Sequence, residues 1–148
     1  MGELEQVFAD LIAIVGSNNC FQVGSQVTCN PPPPQPPSDN DILLLDTSFV
    51  LTYSYFDEKK GWKCATEYIH NKEKPPKHLN QDFISFKRGS INVIVANSED
   101  FFNRFLYATS IAMELNLLEK ADRIELFQSV LYSNGYPEFL QDYLQKEG

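Results

Sequence analysis

Val23-Gly24-Ser25, a proline-rich loop, and then Ser38-Asp39-Asn40-Asp41-Ile42-Leu43-Leu44-Leu45 form the stretch on which the reading of this chain turns. The run from Asp41 to Leu45 is almost continuously apolar, the pattern of a central strand buried on both faces. Side chains two apart in a strand share a face, so Asp39 and Asp41 point together where the loop becomes that strand. Two aligned carboxylates are oxygen ligands suited to a hard divalent cation such as Mg²⁺. The same residues also admit a plain reading: Gly24-Ser25 as an ordinary turn, and the acids as a solvated strand edge with Asp39 in an Asx turn.

Upstream, Leu4, Val7, Phe8, Leu11, Ile12 and Val15 recur at helical spacing, and Gly16 follows as a stop. Cys20 to Val23 reads as a short strand entering Gly24-Ser25. Residues 30 to 38 contain six of the nine prolines, which makes them an extended, semi-rigid spacer with the composition of an SH3 ligand. Downstream, Asp46-Thr47-Ser48 supplies N-cap residue types, and the aromatic spacing predicts a helix over Phe49 to Lys60, ending at Gly61. Trp62 to Ile69 reads as a strand and Asn71 to Asn80 as a basic loop. Asp82 to Phe86 and Ser90 to Val95 read as a hairpin joined through Lys87-Arg88-Gly89. Ser98 caps a helix whose core stripe is Phe101, Phe105, Ala108, Ala112 and Leu115. A further helix carries Ala121, Ile124, Phe127, Val130 and Leu131 and stops at Asn134-Gly135, and Pro137 opens a last short one. The expected fold is one α/β (α+β) domain over residues 1–148: a mixed sheet flanked by helices, with a helical C-terminal part.

The chain has 148 residues, 43% apolar and 13% aromatic, enough for a globular core without disulfides. A net charge of −8 and the lack of a long Lys/Arg run argue against nucleic acid as a general ligand. Cys20, Cys29 and Cys64 are an odd count without CxxC spacing, so free thiols in a reducing compartment are expected and zinc is not. The acidic start Gly2-Glu3-Leu4-Glu5 is unlike a signal peptide, and no run approaches the roughly 20 apolar residues that span a membrane. A cytoplasmic protein without a membrane partner is the expectation. Lys72, Lys74 and Lys77 read as a solvated loop, and His70 and His78 carry no arrangement for acid–base work.

Gly24-Ser25, a loop, and Asp39-Asn40-Asp41 entering an apolar strand resemble the signature of the DNA polymerase β-like nucleotidyltransferase superfamily. The wider texture is similar to small nucleotidyltransferase-fold proteins of tailed bacteriophages. It is carried by Val27-Thr28-Cys29-Asn30-Pro31-Pro32, by Lys87-Arg88-Gly89-Ser90-Ile91-Asn92-Val93-Ile94-Val95 and by Lys120-Ala121-Asp122-Arg123-Ile124-Glu125-Leu126-Phe127. The resemblance covers roughly residues 4 to 132. It implies Mg²⁺-assisted transfer of a nucleotide from a nucleoside triphosphate to an acceptor hydroxyl. Gly24 and Ser25 would meet the phosphates and Asp39 and Asp41 the metal. Lys87 and Arg88 have the charge to bind a triphosphate, and equally the plain reading of a hairpin tip made basic for solubility. The third carboxylate of that family falls at Asn92, which cannot act as a base, and Asp82 is the nearest substitute. With Asn92 in that place, the alternative is a catalytically degenerate fold serving as a protein-interaction module, such as an inhibitor of a host or defence enzyme. Cytoplasmic then means the host cytoplasm.

Overall fold

A computed structural model describes residues 2–35, 39–64 and 82–132. The first helix, α1, spans Glu3–Val15 and buries Val7, Leu11 and Val15, one side of the apolar stripe. It ends at Gly16, whose φ of 95° is open to glycine and whose N–H reaches Ile12 O at 2.8 Å. Strand β1 (Cys20–Val23) follows, then a single helical turn, α2 (Ser25–Thr28). Strand β2 is Asn40–Leu45, β3 Lys63–Cys64, β4 Phe83–Arg88 and β5 Ile91–Ala96. Helices α3 (Glu99–Leu115) and α4 (Lys120–Tyr132) complete the described chain.

These strands form one five-stranded sheet in the order β1-β2-β5-β4-β3. The β2–β5 pair is parallel and the other pairs are antiparallel, so the sheet is mixed as expected. Ile42, Leu43 and Leu44 of β2 are fully buried, as a strand with a neighbour on each edge and a layer on each face requires. Alternation along the strands separates two cores. On one face Leu43, Ile94, Phe83 and Val23 pack under Phe101, Phe105 and Ala108 of α3 and Leu126 and Phe127 of α4. On the other, Ile42, Leu44, Ile91, Val93 and Val95 meet Val7 and Leu11 of α1, together with Trp62 and Phe56. Ser98 caps α3 by accepting from Phe101 N at 3.1 Å, and α3 stops at Asn116 in the left-handed region.

Two readings are corrected. Residues 49 to 60 do not form a helix. The segment is two 3-10 turns, Thr47–Phe49 and Glu58–Lys60, joined by further turns. The reason is Asp46, which is buried. Its carboxylate accepts from Thr52 N at 2.8 Å, Thr52 Oγ1 at 2.6 Å and Leu51 N at 3.1 Å. This local side-chain pairing competes with the helical ladder, and Ser48, whose N–H donates to Asn97 Oδ1 at 2.6 Å, and Phe49 take φ of 65° and 58°. Gly61 does terminate the second turn, at φ 92°. The other correction concerns the hairpin. Arg88 pairs with Ile91, so Gly89-Ser90 is the connection, and Lys87 and Arg88 lie inside β4. Most of the strand expected at Trp62 to Ile69, the basic loop at 71–80, the stop at Asn134-Gly135 and the helix from Pro137 lie outside the described residues.

Candidate functional site

The register brings the chemistry-bearing residues into one row. Val23 pairs with Asp41, Asp41 with Asn92, Asn92 with Lys87, and Lys87 with Lys63. Directly paired residues share a face, so the row crosses all five strands on the side that carries α3 and α4. Asp41 and Asn92 are only partly buried, unlike Leu43 and Ile94 two residues further along the same strands. The row is therefore the open margin of the helix-covered core.

The two halves of the sequence signature touch. Gly24 follows Val23 out of β1 with φ 81° and ψ −178°, a region that only glycine occupies readily. A Cβ there would lie 2.8 Å from Asp41 Cγ and would overlap its Oδ2. Glycine at position 24 thus serves the backbone and leaves room for the carboxylate. Ser25 opens α2, and the Gly24 carbonyl accepts from Val27 N and Thr28 N at 2.9 and 3.0 Å.

The chain's own donors satisfy the acids. Asn92 Nδ2 donates to Asp41 Oδ1 at 3.2 Å, and Lys87 Nζ stands 3.0 Å from Asp39 Oδ2. Asp41 has its pKa pushed up to about 7, chiefly by burial and further by the Asp39 charge, against the lowering effect of Asn92 and Lys87. Asp39, Asp41, Asn92, Lys87 and the Gly24-Ser25 turn are thus gathered at one margin.

Two sequence candidates lie elsewhere. Arg88 points to the opposite face, with its guanidinium 4.6 Å from the Trp62 ring centroid, its Nε 3.4 Å from Glu3 Oε2 and its Nη1 donating to Lys60 O at 3.3 Å. Strand alternation alone accounts for this, since Lys87 and Arg88 are adjacent in β4. Asp82 lies one residue before Phe83, which pairs with Ala96 at the far end of β5. Five residues along β4 separate it from Lys87, a rise of about 17 Å, so it does not join the row. Lys63 completes the row and was not singled out from sequence; its strand period was visible, but its register was not. Cys20 is an inert core thiol, which burial pushes up to about 12.

Among the described residues no group of three or more His, Cys, Asp or Glu side chains is placed to hold a metal ion. Mg²⁺ is nevertheless commonly held by one or two carboxylates, with water and substrate phosphate completing its shell. The hard oxygens of Asp39 and Asp41 fit that lesser requirement. No helix among the described residues is long and apolar enough to cross a membrane. The chain matches no protein-family model, no curated protein and no solved structure in comparisons with known proteins.

Proposed function

We propose that the chain is a nucleotidyltransferase-like protein whose Asp39–Asp41 margin takes a nucleoside triphosphate with Mg²⁺. The observation that carries this reading is the meeting of the Gly24 turn with Asp41, in one row with Asn92 and Lys87. Asp39 and Asp41 would hold the cation, which when bound supplies charge stabilisation at the phosphoryl oxygens. The Gly24-Ser25 turn would offer backbone N–H groups and the Ser25 hydroxyl to a phosphate beside Asp41. The Lys87 ammonium contributes charge to the triphosphate. Asn92 orients the Asp41 carboxylate through its amide. The test is a titration of each of the four nucleoside triphosphates with Mg²⁺ against wild type and a double Asp39→Ala, Asp41→Ala variant. Binding weakened about tenfold or more in the variant supports the reading, and no binding of any of the four to wild type overturns it.

A second reading, a degenerate fold used as an interaction protein, is favoured by a specific observation. Both carboxylates are already matched by Lys87 and Asn92, and the third acidic position is an amide. A defined one-to-one complex with a host protein that survives the double substitution supports it, whereas nucleotide transfer abolished by that substitution excludes it.

A further inference from the structure

We infer that Lys87 is an internal counter-ion of Asp39 and Asp41, whose ammonium competes with a divalent cation for these carboxylates. This rests on the reading that the row takes a cation. Lys87 stands in β4 and Asp39 immediately precedes β2, with β5 between them. The side chain therefore extends over β5 to bring Nζ within 3.0 Å of Asp39 Oδ2. Directly beside Lys87 in register is Lys63. Like charges paired across strands repel, which favours turning the Lys87 ammonium toward the acids. Asn92 closes the other half by donating to Asp41 at 3.2 Å. A cation held by both carboxylates would share Asp39 with the Lys87 ammonium and be repelled by its charge, so the two cations compete for the acids.

The contact is built to open. The Lys87 and Asp39 side chains are 47% and 30% exposed, and ion pairs this accessible are weak and easily exchanged. Removing the ammonium therefore changes cation affinity by a modest factor, about fivefold, from the lost pair and the lost repulsion together. Because the side chain is half-exposed, its replacement leaves both cores in place, which circular dichroism checks.

The experiment is a titration of Mn²⁺ alone into the full chain, read by calorimetry or by the electron paramagnetic resonance of free Mn²⁺. Wild type is compared with Lys87→Gln, Lys87→Arg and Lys120→Gln, an exposed lysine of α4. The expected result is binding about fivefold tighter in Lys87→Gln, with Lys87→Arg and Lys120→Gln like wild type. Binding in Lys87→Gln equal to or weaker than wild type overturns the counter-ion role and leaves the cation reading standing. Equal tightening in Lys120→Gln also overturns it, as a general effect of surface charge. No Mn²⁺ binding by any of the four proteins overturns both.

Discussion

Asp41 is a carboxyl held beside a second acid, under a glycine and against an amide, and its environment makes ionisation unfavourable. Its pKa is pushed up to about 7 from an ordinary 3.8, with burial the largest cause. A folded-state value above the unfolded one means that the native chain keeps a proton the unfolded chain has lost. The associated stability is complete below about pH 4 and is lost as pH rises toward 7. Asp41→Asn is therefore expected to flatten the dependence of unfolding free energy on pH across this window. The variant should also be more stable than wild type at pH 8, by on the order of 2 kcal/mol. Urea denaturation at a series of pH values measures both, and an unchanged slope would count against the unfavourable burial. The pairing of Asp39 with Asp41 was legible from their spacing. The rise in the Asp41 pKa was not, because it comes chiefly from burial in the assembled sheet, with the Asp39 charge adding to it and Asn92 and Lys87 opposing it.

At the scale of elements, the segment from Asp46 to Gly61 shows how one buried side chain redirects a local pattern. Phe49, Tyr53 and Phe56 have helical spacing, yet Tyr53 is exposed while Phe56 and Thr52 are buried. Phe56 stacks on Phe86 at 4.4 Å and meets Trp62 edge-on at 5.0 Å, contacts the turns deliver. Asp46→Ala leaves Leu51 N, Thr52 N and Thr52 Oγ1 without this acceptor. The expected cost is about 2–4 kcal/mol in the midpoint-derived unfolding free energy. A cost under about 0.5 kcal/mol would show that the carboxylate does not organise the turns. By contrast α1, α3 and the existence of a β4–β5 hairpin, though not its two-residue turn, were readable in advance, because the apolar period, the Ser98 cap and the Gly16 and Gly89 breaks all agree.

For the molecule as a whole, the sheet is the common wall of two cores. Leu11 of α1 contributes to one and Phe105 of α3 to the other, and both are almost fully buried. Since Ile94 and Val95 are neighbours on one strand facing opposite cores, loosening either layer disturbs the other. Leu11→Ala and Phe105→Ala are each expected to cost about 2–5 kcal/mol. Each should shift one shared unfolding transition, seen alike by Trp62 fluorescence and by far-ultraviolet circular dichroism. Separate transitions for the two probes would show that the layers unfold independently.

The sequence by itself determined helices α1, α3 and α4, the strands of the sheet, the interior position of β2, and the glycine between β1 and α2, but not the turns from Thr47 to Lys60. Each of these is a local property, set by period, caps and backbone freedom. Tertiary structure decided which residues stand beside Asp39 and Asp41. Lys87 and Asn92 join them and Arg88 does not, because strand order and register select one face of each strand. Register also carries Asp82 to the far end of the sheet. Pairing between β2, β5 and β4 is a long-range choice made by burying two apolar faces at once, and no spacing along the chain encodes it.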